Sequence, residues 1–244
     1  MLEKDERLDH IAGTSYKIVQ SDQVFTYSID AVLLARFASI PLQKGRILDL
    51  CSGNGVVGIT MTERTKALIS LLELQEPLHS MASRSIKGNG LEKQLTPICA
   101  DLKHIRDYFA HGFFDAVTCN PPYFTKGDHE QMKLESTKAL ARHELSCTLD
   151  DVIAAGSYVL KHGGKFTMVH RPERMVEIME TMKQHRIEPK RIRFCHSSAK
   201  KPSTMLLIEG TKGGKQGLVC EAPLFVYDQD GKYTTAFNKE YFGV

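Results

Sequence analysis

The segment from Asp115 to Tyr123, DAVTCNPPY, places an amide, two prolines and an aromatic ring in direct succession. Small or β-branched residues precede Asn120, which is typical of a strand. A residue that comes before a proline is pushed toward extended geometry, and neither proline has an N–H to donate to a sheet. We therefore predict a rigid strand exit that presents the side chain of Asn120, the carbonyl of Pro121 and the ring of Tyr123.

This set of groups suits the positioning of a planar exocyclic amine, such as that of adenine, for attack on an electrophilic carbon. The Asn120 side-chain oxygen and the Pro121 carbonyl would accept its two N–H bonds and favour a tetrahedral nitrogen. Tyr123 would stack on a base taken out of its helix or loop. Catalysis would then rest on positioning and fixed dipoles. Taken alone, Asn-Pro-Pro is equally compatible with a simple turn.

A glycine-rich loop forms the second motif. The apolar run RILDL (46–50) predicts a strand, and it is followed by CSGNGVVG, in which Gly53, Gly55 and Gly58 have the spacing GxGxxG. Glu73 lies 20 residues after Gly53, a pattern that also fits a dinucleotide site. Asp49 favours S-adenosylmethionine over NAD, because a carboxylate there balances a cationic sulfonium and ammonium but opposes a pyrophosphate.

Under this interpretation, each part of the loop has a role toward the cofactor. Gly53 and Gly55 let the backbone approach the methionine moiety. Glu73 accepts hydrogen bonds from the ribose hydroxyls, and Asp101 accepts one from the adenine amine. We expect no metal ion, because the six cysteines include no CxxC pair and no histidine has ligand spacing.

Predicted strands alternate with predicted helices along most of the chain, which indicates an α/β fold with a parallel sheet wound on both faces. Asp49, Glu73, Asp101 and Asn120 all fall at the carboxyl ends of strands, where such folds bind ligands. We expect seven strands, at 46–50, 67–74, 95–100, 116–119, 165–170, 190–195 and 204–209. We expect helices at 29–40, 56–64, 77–87, 149–160 and 173–185.

We predict one domain that spans residues 1–244. It comprises an N-terminal extension with a buried helix (1–45), a Rossmann-like core (46–209) and a C-terminal tail packed on the core (210–244). Within the extension, residues 17–27 have β character and are compatible with a short hairpin.

The composition, 42% hydrophobic and 25% charged, is ordinary for a soluble globular protein. The charged N-terminus is unlike a signal peptide, and no apolar run approaches membrane-spanning length. We therefore expect a cytoplasmic protein that does not associate with membranes. Nothing in the sequence indicates an obligate protein partner.

Positive charge is concentrated between Lys183 and Lys215, where nine Lys or Arg residues stand against two Glu residues. A local basic region on a nearly neutral protein indicates a possible phosphate-binding face. We expect nucleic-acid contacts from Arg191, Arg193, Lys200 and Lys201. The alternative is a solvated surface without a partner.

Taken together, DLCSGNG, LLELQ, CADL and NPPYF resemble a Rossmann-like class I methyltransferase of the amino-methylating type, over roughly residues 46–209. More specifically, the chain resembles the bacterial tRNA (valine) adenine-N6 methyltransferase family. The stretches that carry this resemblance are FTYSIDAVLLARF (25–37), NPPYF, ARHE (141–144), VHRPER (169–174) and KPSTMLLIEGTKGG (201–214). CSGNG departs mildly from the family at the residue before the first glycine.

The resemblance implies methylation of the N6 amine of the adenosine just 3′ of the anticodon in a tRNA. Asn120, Pro121 and Tyr123 would hold the target base, and Asp30 would lie near the cofactor. The full set of expected cofactor contacts is Asp30, Asp49, Ser52, Gly53, Asn54, Gly55, Glu73, Leu74, Asp101, Leu102 and Asn120.

Other functions remain open. Protein glutamine-N5 methylation and ribosomal RNA guanine-N2 methylation use the same NPPY site, since both act on planar nitrogen. The basic segment favours RNA, and 45 residues are too few for the helical domain that release-factor enzymes carry before the core. A non-catalytic RNA-binding module and an NAD oxidoreductase are the remaining alternatives. The intact Asp49, Glu73 and Asn120 disfavour the former.

Overall fold

A computed structural model describes residues 2–22, 24, 26–121 and 147–243 of the chain. The strands are β1 Arg7–His10, β2 Lys17–Gln20, β3 Arg46–Leu50, β4 Leu68–Glu73, β5 Leu95–Cys99, β6 Phe114–Cys119, β7 Leu160–His170, β8 Ile187–His196, β9 Ser203–Lys212, β10 Val219–Cys220 and β11 Leu224–Phe225. The α-helices are α1 Ile29–Phe37, α2 Val56–Met61, α3 Glu76–Gly88, α4 Ile105–Tyr108, α5 Leu149–Val159, α6 Met175–Gln184 and α7 Thr235–Tyr241.

A nine-stranded sheet forms the centre, with the order β10-β8-β9-β7-β6-β3-β4-β5 and β11 also paired to β8. Only β9 is antiparallel to its neighbours, so the other strands point their carboxyl ends toward one edge. The expected α/β, mostly parallel architecture is confirmed. The seven predicted strands are all present, and the two-residue strands β10 and β11 extend the sheet beyond them.

Helices cover both faces of the sheet and give it two separate apolar cores. One core contains residues of α1, α2, α3 and α7 together with Ile47, Ile69 and Val169. The other contains residues of α4, α5 and α6 together with Leu48, Val117 and Phe166. Because adjacent residues of a strand face opposite sides, a strand with both faces covered reads as the near-continuous apolar run that the sequence shows.

Several element boundaries differ from the predicted ones. Strands β8 and β9 are longer than predicted because they pair antiparallel over their whole length, from Ile187↔Lys212 to His196↔Ser203. The predicted 56–64 helix is α-helical only to Met61 and ends as a 3-10 turn over Thr62–Arg64. Helix α5 begins at a capping box, in which Thr148 and Asp151 each bind the other's backbone N–H.

The N-terminal hairpin lies earlier in the chain than predicted. Strand β1 pairs with β2, with Arg7 opposite Gln20, whereas a hairpin within 17–27 was expected. Strand β2 is held against α3 by polar contacts, among them the bond from the Val19 N–H to the Ser85 hydroxyl at 2.9 Å. The pairing of β2 is therefore decided by residues before it and by a helix far along the chain.

Helix α1 is buried as predicted, but it ends at Phe37 rather than Ile40. The Arg64 guanidinium donates to the carbonyls of Ala35, Arg36 and Ala38, which lie at this end of the helix. These bonds satisfy carbonyls that have no partner within the helix. They also fix α1 to the segment that follows α2.

The C-terminal segment packs on the core. Phe237 of α7 is fully buried in the same apolar cluster as α1. Arg193 of β8 binds both carboxylate oxygens of Glu240, at 2.7 and 2.8 Å. These contacts support the single-domain interpretation, which we retain as a proposal. Among the described residues, none of the helices has the length and apolar character that crossing a bilayer requires.

Candidate cofactor and substrate site

The carboxyl ends of four neighbouring strands bring the predicted polar residues to one edge of the sheet. Strand β3 lies between β6 and β4, and β5 lies beyond β4. The register pairs Leu50 with Cys119, so the loop that begins at Cys51 starts beside Asn120. Glu73 pairs with Cys99 at the end of β5, two residues before Asp101. The structure therefore brings together the residues that the sequence placed at separate strand ends.

Asp49 is buried inside the end of β3, with 1% of its surface exposed. One carboxylate oxygen accepts the Thr118 hydroxyl at 2.7 Å. Burial raises the pKa of Asp49 to about 7, although the bonds from Thr118 and from the Gly58 backbone lower it. A cation bound beside this carboxyl would stabilise its ionised form and lower that pKa.

The loop after β3 depends on backbone conformations that favour glycine. Gly53 and Gly55 have φ of 56° and 88°, and Cys51 has the uncommon value of 55° for a residue with a side chain. A Cβ on Gly55 would lie 3.2 Å from Leu71, and one on Gly58 only 2.8 Å from the same side chain. These glycines therefore allow α2 to pack closely on β4.

Glu73 links the glycine loop to the end of the next strand. Its two carboxylate oxygens accept the backbone N–H groups of Gly53 and Gln75, each at 2.8 Å. A carboxylate has about four acceptor positions, and these bonds use two of them. The side chain is 3% exposed and is held by the backbone on two sides.

A pocket opens between the ends of β3, β4 and β5. It is lined by Cys51, Leu72, Glu73, Leu74, Ala100, Asp101, Leu102 and Cys147. Four of these residues, Glu73, Leu74, Asp101 and Leu102, belong to the expected set of cofactor contacts. Asp101 caps the short helical turn that follows it by accepting the N–H of Lys103 at 2.9 Å. The pocket combines apolar walls with the carboxylates of Glu73 and Asp101.

Unpaired polar atoms in the glycine loop fit a polar, cationic ligand. Asp49 Oδ2, Ser52 Oγ and Asn54 Oδ1 are buried and have no hydrogen-bond partner among the described residues. Buried polar atoms without partners are costly, and they are commonly satisfied by a bound group. The amide of Asn54 also donates to the Val19 carbonyl at 3.2 Å, which ties the loop to the N-terminal hairpin.

Three thiols lie together at this pocket, which Cys51 and Cys147 line. Hydrogen-bonding contacts join Cys51 to Cys119 and to Cys147. The contact with Cys119, together with burial, raises the pKa of the Cys51 thiol, and the contact with Cys51, together with burial, raises the pKa of Cys147. Burial raises the pKa of Cys119, although its contact with Cys51 lowers it. The three thiols are therefore neutral side chains at neutral pH. No motif in the sequence predicts this cluster, because its members come from three distant segments.

Asp30 lies in the first turn of α1 and is buried. Its carboxylate accepts the Ser28 hydroxyl and the Ala31 N–H. Helix α1 packs against α2, whose N-terminus carries the glycine loop. Contact between Asp30 and the cofactor stays a prediction.

Asn120 and Pro121 follow β6 directly, as predicted, with Asn120 half-buried and Pro121 buried. Tyr123 lies outside the described residues, as do Arg142, His143 and Glu144 of the ARHE stretch. The predicted stacking role of Tyr123 therefore stays a prediction. The described part of NPPY is a strand exit beside the glycine loop, not an isolated surface turn.

His170 ends β7, the strand next to β6, and is 2% exposed. Its Nδ1 atom accepts the Arg171 N–H at 2.8 Å, so the proton of the neutral ring lies on Nε2. Burial, with the nearby Arg174 charge, lowers the pKa of His170 to about 4. The imidazole is therefore neutral at physiological pH.

Arg191 and Arg193 form ion pairs within the protein, and their predicted role in phosphate binding stays a prediction. Arg191 lies 3.5 Å from Glu209 and 3.2 Å from Glu221, and its guanidinium stacks on Phe37. Arg193 forms its two-point ion pair with Glu240. In contrast, Lys200 and Lys201 are exposed in the loop between β8 and β9.

One site residue that the sequence did not identify is Thr118, which holds Asp49. A buried threonine within an apolar strand is a signal for such a role, but its partner is visible only once β3 and β6 are paired. Cys51 and Cys147 also line the pocket unexpectedly.

Comparison with known proteins identifies the family. Residues 15–189 match the sequence model of the methyltransferase small domain. A tRNA1(Val) (adenine(37)-N6)-methyltransferase of Shewanella halifaxensis is 25% identical over 226 residues, which cover 86% of this chain and 88% of the relative. The enzyme with the same name from Actinobacillus pleuropneumoniae is 27% identical over 222 residues, with 86% of each chain covered.

Solved structures support the fold. A predicted O-methyltransferase from Agrobacterium tumefaciens has a TM-score of 0.70 at 23% identity, with 88% of this chain and 96% of that chain covered. A geranyl diphosphate methyltransferase in complex with S-adenosylmethionine has a TM-score of 0.54 at 13% identity, with 74% and 82% covered. With the match over most of its length, the chain belongs to the methyltransferase small domain family, and it is an S-adenosylmethionine-dependent methyltransferase.

Proposed function

We propose that this protein methylates the N6 amine of an adenosine in tRNA, at the position 3′ of the anticodon. The observation that carries the proposal is the adjacency of Asn120 to the glycine loop, because β6 and β3 are neighbours in register at this edge. Relatives that cover most of the chain and carry the name of this activity support it. A tRNA substrate is in keeping with the cytoplasmic location expected from the sequence.

S-adenosylmethionine, when bound, supplies an electrophilic methyl group on a cationic sulfur. We assign Asp49 to the positive charge of the cofactor and Glu73 to its ribose hydroxyls. Leu74, Asp101 and Leu102 would bind the adenine, and Ser52, Gly53, Asn54 and Gly55 the methionine part. Asp30 and Asn120 are the remaining proposed contacts.

Asn120 and Pro121 act on the substrate side in this proposal. Their oxygens accept the two N–H bonds of the target amine, which directs its lone pair toward the adjacent methyl group. Such bonds strengthen as the nitrogen becomes tetrahedral, and so they stabilise the transition state more than the bound substrate. Tyr123 would stack on the flipped base.

The proposal is tested with tRNA, ribosomal RNA and protein isolated from cells that lack the gene. The purified protein and labelled S-adenosylmethionine are added to each fraction, the RNA is digested to nucleosides, and label in protein is measured separately. N6-methyladenosine in tRNA is the expected product, and it should form much more slowly with the Asn120→Ala protein. N2-methylguanosine in ribosomal RNA, or label only in protein glutamine, would replace the proposal by one of the alternatives that share the NPPY site.

A further inference from the structure

We propose that a strip along the carboxyl edge of the sheet binds the single-stranded RNA that flanks the target nucleotide. This edge strip consists of Arg171, Lys200, Lys201 and Tyr227. This proposal rests on the proposed function, because it takes RNA as the substrate. It assigns RNA binding to the edge strip rather than to the whole basic segment between Lys183 and Lys215.

Topology places the strip in line with Asn120. Running outward from β6, the sheet order is β7, β9, β8 and β11. Arg171 follows the end of β7, the lysines precede β9, and Tyr227 follows β11. The N–H of Tyr227 donates to the carbonyl of Ser197 at 2.9 Å, so it adjoins the lysine loop. With strands about 4.8 Å apart, the strip extends roughly 19 Å from Asn120.

Within the described residues, the cationic side chains of the strip are free of ion pairs, unlike the two arginines of the basic segment (183–215) that lie within β8. Arg171, Lys200 and Lys201 are exposed, and their side chains form no ion pair with the described part of the chain. Arg191 and Arg193 pair with carboxylates. Lys183 lies in the last turn of α6 and Lys215 follows the end of β9, both at the opposite edge. Phosphate contacts are therefore assigned to the three unpaired cations.

Tyr227 supplies a ring for a nucleic-acid base. It stacks on Tyr233 with a centroid distance of 5.2 Å and an angle of 19° between the planes. Tyr233 in turn contacts the buried Phe237 at 4.8 Å. The ring of Tyr227 is thus anchored to the core through the ring of Tyr233, yet 38% of the surface of Tyr227 is exposed. A preorganised, exposed aromatic ring beside cations suits stacking of an unpaired base.

Acidic residues near Tyr227 decide which part of the strip can contact phosphates. The turn between the tyrosines carries Asp228 and Asp230 against Lys232. Asp228 is used within the turn, since its side chain accepts the N–H groups of Asp230 and Lys232. The loop at 197–202 contains both lysines and no acid. The tyrosine end is therefore assigned to stacking and the lysine end to phosphates.

The test compares tRNA binding by variants at the two sheet edges over a range of salt concentrations, with an unmodified tRNA transcript as probe. The triple change Arg171→Ala, Lys200→Ala and Lys201→Ala should weaken binding at least about 10-fold and reduce the salt slope by about 2, since each single-strand phosphate contact contributes about 0.7. The matched control, Lys66→Ala, Lys183→Ala and Lys215→Ala, removes the same charge from the opposite edge and should change neither quantity.

Tyr227→Ala should weaken binding about 5- to 100-fold without changing the salt slope, and Tyr227→Phe should retain wild-type affinity. Cofactor affinity, measured in parallel, shows that each variant is folded. Equal losses of tRNA affinity in the variants of the two edges would overturn the proposal. Wild-type tRNA affinity in the strip variants would overturn it as well.

Methyl transfer to the same tRNA separates this proposal from the proposed function. If the wild-type protein binds the tRNA but produces no N6-methyladenosine, the proposed function fails, while the comparison of binding still decides the strip. If the wild-type protein does not bind the tRNA, the strip is overturned directly.

Discussion

The carboxylate of Glu73 accepts the backbone N–H of Gly53 at 2.8 Å, across 20 residues of chain. This bond fixes the glycine loop against the end of β4. A residue expected only to bind ribose therefore also shapes the loop that precedes it. Loss of Glu73 removes a charged acceptor from the loop and, in the proposed function, from the ribose of the cofactor.

Glu73→Ala should weaken S-adenosylmethionine binding by roughly 1–3 kcal/mol, because a charged hydrogen-bond acceptor is lost. Titration calorimetry measures the change. Glu92→Ala is the matched control, since Glu92 is exposed and lies after α3, away from the pocket. Unchanged affinity in Glu73→Ala would remove the ribose assignment, and tight NAD binding by the wild type would contradict the cofactor assignment as a whole.

Asp49→Asn should stabilise the protein without cofactor at pH 8 while weakening cofactor binding. The folded-state pKa of about 7 lies above the ordinary aspartate value of 3.8, so the unfolded chain ionises first as pH rises. Stability from this group is therefore present at low pH and is lost as pH rises through about 4 to 7. The amide avoids this cost, which is on the order of 2–4 kcal/mol.

Thermal unfolding of both proteins at pH 5 and pH 8 checks the stability effect, and calorimetry checks the binding. The gain in stability for Asp49→Asn should be larger at pH 8 than at pH 5. A variant that is less stable than wild type at pH 8 would show that the carboxylate is stabilised there by contacts other than Thr118 and Gly58.

Asn120→Ala should reduce the single-turnover rate at saturating tRNA by about 10²–10³, by analogy with loss of one preorganised hydrogen-bonding group. The affinity for tRNA and for S-adenosylmethionine should change little, because the bond strengthens mainly in the transition state. Asn120→Asp keeps an acceptor and should retain more activity than the alanine variant. A wild-type rate in Asn120→Ala would mean that NPPY is only a turn.

Arg193→Ala should loosen the C-terminal helix and leave the salt slope of tRNA binding unchanged. The guanidinium is 16% exposed and binds both oxygens of Glu240, so its loss should cost about 1–3 kcal/mol in unfolding free energy. Faster amide hydrogen exchange over Thr235–Tyr241 is the expected readout. A Glu240→Gln variant should show the same pattern of faster hydrogen exchange. If Arg193→Ala instead lowers the salt slope of tRNA binding by about one unit, Arg193 contacts a phosphate of the RNA.

Local pattern was enough to predict the parts of this protein that depend on neighbouring residues. Short apolar runs followed by polar residues or glycines predicted where β3, β4, β5 and β6 end. Parallel winding then placed Asp49, Glu73, Asp101 and Asn120 at one edge, as the structure confirms. Each of these predictions needs only side-chain periodicity, turn chemistry and the rule that parallel strands share a carboxyl edge.

Partners distant in sequence were decided by the tertiary structure alone. The positive charges between Lys183 and Lys215 form one run in the sequence, but antiparallel β8 and β9 divide them between opposite sheet edges. Glu209 and Glu221 then neutralise Arg191, and Glu240 neutralises Arg193. Both arginines lie within β8, between its two ends. The hydroxyl of Thr118 and the thiol of Cys147 reach the site in the same way. Sequence fixes which groups a strand carries, whereas only strand order and register decide which charges meet, because a carboxylate and a guanidinium interact strongly only at contact distance.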